Sequence, residues 1–279
     1  MGAAEFSLWI FLSSLLAGLL GALTGLGGGV VIVPVLTLLF HVDIHYAIGA
    51  SLVSVIATSS GAAAAYVREG YSNIRIGMFL EIATTLGALL GAYLTAKVTT
   101  NAIGIVFGVV LLYSAYASFR QKHEQAAYGE PTGLAKTLKM YGSFPSGPGT
   151  QEKYTSKRIP GGFGLMFTAG TLSGLLGIGS GAVKVLAMDQ AMGLPFKVST
   201  TTSNFMIGVT AAASAGIYLS HGYISPELAM PVMLGVLGGS LVGSKILVRA
   251  EVKTLRMVFA VVIVVLGLEM IFNSVTGRL

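Results

Sequence analysis

The chain has 279 residues, 54% apolar and 10% charged, with 17 Lys and Arg against 11 Asp and Glu for a net charge of +6. A soluble domain carries about a quarter charged residues, so this composition excludes a water-soluble fold and indicates a polytopic membrane protein. The basic residues lie in loops between apolar spans, without a basic helix or interleaved aromatics, which argues against nucleic acid as a partner. There is no cysteine, so disulfides, Cys-ligated metals and thiol relays are excluded.

Glu5 precedes the first apolar run and no Lys or Arg does, so the N-terminus lacks the basic region of a secretory leader and reads as part of the fold. From Phe6 to Phe40 there is no charge. As one helix that stretch would be about 50 Å long, against a hydrocarbon core of about 30 Å, so it must break. Gly25-Leu26-Gly27-Gly28-Gly29 is the expected break, because glycine tolerates non-helical dihedrals. The leg from Val30 to Phe40 then reaches only about 16 Å, roughly half a bilayer.

Plain spans are expected near 46–67, 76–96 and 102–119. Residues 120–160 are polar, include Pro131, Pro145 and Pro148, and read as a connecting loop. Gly161 to Leu176 then opens a second broken segment, with a break at Gly177-Ile178-Gly179-Ser180-Gly181 and a short leg to Met192. Further spans are expected near 198–219, 227–247 and 254–273.

The two halves are copies. GLGGGVVIV at 25–33 returns as GIGSGAVKV at 177–185, and the same offset of 152 pairs Ser51 with Ser203, Thr58 with Thr210, Tyr66 with Tyr218, Gly87 with Gly239 and Gly91 with Gly243. Secondary transporters are built from such repeats, each opened by a discontinuous helix. The expected fold is therefore all-α, with membrane repeats over 6–119 and 161–273 around the 120–160 loop.

Charge decides the expected orientation. If each broken segment turns back, the repeats are inverted. One side then carries 13 basic residues (Arg68, Arg75, Arg120, Lys122, Lys136, Lys139, Lys153, Lys157, Arg158, Lys197, Arg249, Lys253 and Arg256) against Lys97 and Arg278 on the other. If it crosses, the division is about ten against five, a weaker asymmetry under the positive-inside rule. The re-entrant, inverted arrangement is expected, with the 120–160 loop cytoplasmic and both termini outside.

GLGGGVVIVPVL followed by HYAIGASLVSV, and GLLGIGSGAVKV followed by GLPFKVSTTTSNF, resemble the TauE/SafE sulfite exporter family, also called the four-toluene-sulfonate uptake permease family. The resemblance covers nearly all the chain except the 120–160 loop. It departs from the doubled pattern where Ser180 replaces the glycine of Gly28 and where the second leg lacks a counterpart of Pro34. It implies a multi-pass protein of the cell (inner or plasma) membrane that moves sulfite, sulfoacetate or other sulfur-containing or organic anions, coupled to protons. No cofactor or metal is expected, and the oligomeric state is not legible.

A broken helix near the midplane exposes backbone N–H groups and its positive dipole end, so Gly27, Gly28 and Gly29 with Gly179, Ser180 and Gly181 are candidate anion cradles. The alternative is that these glycines serve close packing, the role expected of Gly87/Gly91, Gly239/Gly243 and Gly104/Gly108. Lys184, one turn beyond the second break in an apolar leg, is the sharpest single residue, because an intramembrane ammonium needs a cavity or a partner. It either attracts the anion or titrates, or else pairs structurally with Asp189 or Glu81 or snorkels to the cytoplasm. Lys245 is expected to snorkel.

Ser51, Ser203 and Asn204, from the polar starts of the spans that follow the breaks, are expected to complete the anion shell; capping and interhelical bonds are the alternative. Glu81 and Asp189 are the proton-coupling candidates. Tyr66 and Tyr218 are expected to anchor at the interface. A passive anion channel is the main rival function. HExxH and GxSxG are missing, and Ser180 with Lys184 lacks an oxyanion device, so an enzyme is not expected.

Overall fold

A computed structural model describes residues 2–24, 28–68, 72–119, 133–147, 150–247 and 252–278. Within these residues the first half contains α1 (Ala3–Thr24), α2 (Gly29–Leu38), α3 (Ile44–Arg68), α4 (Ile74–Thr95) and α5 (Thr100–Phe119). The connection holds α6 (Leu134–Thr137) and two strands, β1 (Tyr141–Gly147) and β2 (Thr150–Thr155). The second half contains α7 (Ile159–Leu176), α8 (Gly181–Leu186) continued by a π-helical turn (Ala187–Ala191), α9 (Phe196–Ser220), α10 (Pro226–Leu247) and α11 (Val252–Val275). The helices agree with the expected spans to within a few residues.

Local chemistry sets several boundaries. The Asn73 side chain accepts the Ile76 N–H at 3.1 Å, a cap worth about 1 kcal/mol that starts α4. Pro160 and Pro226 stand in the first turns of α7 and α10, where a missing N–H costs nothing and φ is already helical.

The offset of 152 seen in the sequence is also a rule of contact. A methyl group at Gly87 would strike the Phe167 carbonyl and the Thr171 nitrogen; at Gly239 it would strike the Leu15 carbonyl and the Leu19 nitrogen, the same positions one repeat earlier. Gly170 abuts Thr84, and Gly18 abuts Val236, again one repeat apart. Thus α4 packs on α7 as α10 packs on α1, backbone to backbone, through small-residue seams. Gly91 continues the first seam against Thr171 and Leu175, and Gly108 lies against Gly267 where α5 meets α11. The side chain positions of Gly243 and Lys245 lie outside the described residues.

In each half the short leg returns along the long one. Phe6 at the start of α1 meets Phe40 just past α2, ring centroids 5.9 Å apart. One repeat later, the Lys157 N–H donates to the Met192 carbonyl at 2.8 Å and Gly162 packs on the Met192 side chain. Among the described residues, each short leg therefore lies along its long one, with Gly28 and Gly29 opening the first short leg and Gly177, Gly179 and Gly181 between the legs of the second.

The outside of the bundle is apolar. Leu8, Leu12 and Leu16 on α1, Met78, Ile82 and Leu86 on α4, and Val261, Val265 and Leu268 on α11 are exposed, whereas Ser51, Thr84, Glu81, Lys184 and Thr210 are buried. That inside-out distribution suits a lipid solvent. α4 and α7 are each long and apolar enough to cross a membrane.

Residues 133–147 and 150–158 hold a small folded unit where a simple loop was expected. Tyr141 pairs with Thr155 across an antiparallel hairpin, and its inner Phe144 and Tyr154 pack into a cluster with Met140, Met188, Met192 and Val198. The Asn73 amide donates to the Tyr154 hydroxyl at 2.8 Å, and the Asn73 N–H donates to the Thr202 hydroxyl at 3.0 Å. Arg75, Lys136, Lys139, Lys153, Lys157, Arg158 and Lys197 therefore gather at one end of the bundle. At the other end His45 and His221 stack against Tyr223, at 4.8 and 5.9 Å.

Candidate functional site

The two breaks meet in the middle of the protein. A Cβ on Gly29 would lie 2.6 Å from Ser51 Oγ, 2.9 Å from Val55 Cγ2 and 3.2 Å from the Gly177 carbonyl. Ser51, fully buried on α3, donates its hydroxyl to that same Gly177 carbonyl at 2.8 Å. Gly177 and Gly179 have φ of +66° and +68°, a left-handed backbone that glycine adopts without a Cβ clash. Their neighbours are Ile48, Val55 and Ile207. The apices are thus walled by apolar side chains and lined by backbone, with one serine between them.

Ser180 shares the left-handed backbone at φ 43°, which costs a non-glycine residue about 1–2 kcal/mol. Its hydroxyl donates to the Ala169 carbonyl on α7 at 2.6 Å, which ties the apex to its own long leg and turns the side chain from the opposite apex. On the first side Gly28 precedes α2, and its carbonyl accepts the Ile32 N–H at 3.1 Å. The N–H groups at the start of α2 have no carbonyl one turn earlier within the helix, as at any helix start. Gly27 lies outside the described residues.

Lys184 is fully buried, one turn past the second apex. Its ammonium donates to the Thr210 hydroxyl on α9 at 2.6 Å, and Thr210 lies 2.7 Å from Oε1 of Glu81 on α4. Thr210 also lies 2.9 Å from the Met206 carbonyl, and the Thr85 hydroxyl donates to Glu81 Oε1 at 3.2 Å. Glu81 Oε2 is buried and has no hydrogen-bond partner. A cation on the second repeat and a carboxylate on the first are thereby joined through one hydroxyl. One repeat away, the same three positions hold Ile32, Thr58 and Met233, and Thr58 bonds only to carbonyls of its own helix. The polar bridge has no counterpart at the repeat-related positions.

The other expected residues divide. The Ser203 hydroxyl donates to the Gly181 carbonyl at 3.3 Å, holding α9 against the second leg. Asn204 is half-buried, about 100° round the helix from Ser203. Thr201 bonds back to Lys197, and Thr202 receives the Asn73 N–H, so these hydroxyls serve capping and interhelical bonds. Asp189 lies in the π-helical turn, toward the basic end and away from the apices. Tyr218 corrects the expected interfacial anchor: it is 1% exposed, and its hydroxyl lies 2.9 Å from Thr95 Oγ1 and 3.1 Å from the Gly174 carbonyl, so it packs between the repeats. The Tyr66 side chain lies outside the described residues. Thr210 and Thr95 escaped sequence reading as site residues; the pairing of Thr58 with Thr210 was the available signal for the former.

Residues 10–270 match the family described as Sulfite exporter TauE/SafE. Among curated proteins, the chain is 29% identical over 269 residues to the probable membrane transporter protein YunE of Bacillus subtilis, covering 94% of this chain and 96% of that one. It is 28% identical to the probable membrane transporter protein YdhB of the same organism, covering 85% and 88%. A probable membrane transporter protein of Methanocaldococcus jannaschii is 24% identical, with 92% of each chain covered. No solved structure matches the chain. The doubled glycine-broken segments, the lipid-suited exterior and the match over nearly the whole length lead to one conclusion: the chain belongs to the TauE/SafE family and is a multi-pass membrane transporter.

Proposed function

We propose that the chain carries a sulfur-containing or organic anion, such as sulfite, sulfoacetate or another sulfonate, across the cell membrane by alternating access between two inverted, re-entrant repeats, with proton coupling. The observation that carries this reading is the meeting of the two apices, where Gly29 and Gly177 are in contact beside Ser51. Short helices that start there direct N–H groups and positive dipole ends toward the same point, which suits an anion. Gly28, Gly29, Gly179 and Gly181 supply backbone, Ser51 and Ser203 supply hydroxyls, and Lys184 supplies positive charge nearby. The family description, sulfite exporter, agrees with that charge preference. The basic end, with the 133–158 hairpin, faces the cytoplasm under the positive-inside rule.

The test is flux in proteoliposomes, with sulfite, sulfoacetate, taurine, sulfate and chloride compared with and without a pH gradient. Saturable counterflow of one sulfur anion, driven by the gradient and lost in Lys184→Ala, is the expected result. Unsaturable chloride leak would replace the carrier with a passive channel.

A further inference from the structure

The Lys184–Thr210–Glu81 bridge spans both repeats, and its hydrogen-bond arithmetic is incomplete in an informative way. An ammonium has three donors, and that of Lys184 is fully buried with one protein acceptor among the described residues, Thr210 Oγ1. Glu81 Oε2 is buried without a partner. Thr210 has one proton and two candidate acceptors, Glu81 Oε1 at 2.7 Å and the Met206 carbonyl at 2.9 Å. With Glu81 ionised, the Thr210 O–H turns to the carboxylate. With Glu81 protonated, the acid donates to Thr210, whose own O–H turns to Met206. The hydroxyl thus has two complete arrangements that differ by one proton on Glu81.

Charge selects between them. Lys184 and Glu81 compensate each other while the site is empty. A monovalent anion bound to the ammonium adds a second negative charge in a buried space, and net buried charge is costly. One proton on Glu81 restores neutrality. We infer that Glu81 carries one proton for each monovalent anion that Lys184 binds, with the Thr210 hydroxyl passing the change between them. The carrier is then an electroneutral proton–anion symporter with a stoichiometry of one to one.

This rests on the carrier reading above and assigns the coupling to Glu81 rather than Asp189. The other charged groups are placed elsewhere. α7 contains no titratable residue, α9 contributes Lys197 and Tyr218 near its ends, and α4 carries Arg75 in its exposed first turn. Asp189 is five residues beyond Lys184, about 7 Å along the leg toward the basic end. The cation joined to Glu81 is Lys184, through the Thr210 hydroxyl. Thr210 is a positioning residue in this scheme.

The experiment uses the full chain in proteoliposomes with radiolabelled methanesulfonate, which stays monovalent throughout the accessible pH range, and with sulfite in parallel. With one proton per anion, a gradient of about one pH unit sustains about tenfold accumulation. The same accumulation is expected when valinomycin and potassium set the membrane potential to zero or to either sign. Glu81→Gln is expected to lose the tenfold accumulation while slower anion-for-anion exchange remains measurable. Thr210→Val is expected to flatten the pH dependence of uptake, and Thr210→Ser to restore it. Accumulation that follows the membrane potential, or that persists in Glu81→Gln, overturns the inference and leaves the carrier standing. The wild-type potential measurement stands without any variant. Absence of exchange of either anion by the wild type removes the carrier reading for these anions and the inference with it.

Discussion

Ser51 and Gly177, 126 residues apart, join the two repeats at their centre, the hydroxyl of one donating to the carbonyl of the other at 2.8 Å. Because Gly177 ends α7 with a left-handed backbone, this bond holds the apex where the first repeat can touch it. Ser51→Ala removes a buried neutral hydrogen bond and leaves the carbonyl unsatisfied, at about 1–3 kcal/mol. The expected outcome is a folded protein with raised apparent KM, measured by saturable uptake.

Gly29→Ala is expected to abolish transport with a smaller loss of expression. The new methyl group would stand 2.6 Å from Ser51 Oγ and 3.2 Å from the Gly177 carbonyl, so one apex must move off the other. Gly216→Ala, where nothing lies within 4 Å, is the control and is expected to transport normally. Uptake normalised to purified protein checks both.

The polar bridge and its apolar counterpart suggest an exchange of one half for the other. Lys184→Ile leaves the Glu81 carboxylate buried without its cation, a loss of about 3–5 kcal/mol. The double variant Lys184→Ile, Glu81→Met installs the residues found at Ile32 and Met233. It is expected to regain most of that stability and none of the transport. Thermal unfolding in detergent, beside uptake, separates the two effects.

Gly87→Ala and Gly239→Ala meet the same backbone atoms one repeat apart, so they are expected to destabilise by similar amounts, about 1–3 kcal/mol each for overpacking. The same thermal scan checks the match. A large difference would show that the two seams are not equivalent.

Burial pushes the Tyr154 hydroxyl above the ordinary tyrosine pKa. The docked hairpin therefore holds Tyr154 neutral where an exposed tyrosine would ionise. Docking is fully present below the ordinary value of 10.0 and is lost as the pH rises beyond it toward the raised one. Limited proteolysis of residues 133–158 is expected to accelerate through that alkaline window. Tyr154→Phe is expected to remove the pH dependence and to weaken docking by about 1 kcal/mol.

The repeat, the breaks and the spans were legible because apolar length and glycine spacing are properties of the sequence itself. Lys184 stood out because a charge in an apolar leg is costly wherever it points. Glu81 was legible only as one of two acids, with Asp189, that could partner Lys184, and the Thr210 bridge was not legible, since it depends on how α4 and α9 pack. Ser180 is a candidate cradle residue through its backbone; that its hydroxyl bonds to the Ala169 carbonyl of α7 was not legible, since it depends on how the second leg packs on the long one. The paired strands at 141–147 and 150–155 were hidden by their polar residues, because the two inward aromatics, Phe144 and Tyr154, find their core on helices of both halves, Ile76 and Leu80 from one and Met188 and Val198 from the other. Tyr218 read as an anchor because position near a span end does not reveal which face it occupies.

Both hairpins have their feet fixed, Phe6 on Phe40 in one and Gly162 on Met192 in the other. In the proposed re-entrant reading, the tips rather than a continuing helix divide the two compartments. In that reading the partition at Gly29 and Gly177 is about as thick as two stacked backbones, and a shift of one tip by about the width of a methyl group is the movement that the proposed alternating access requires.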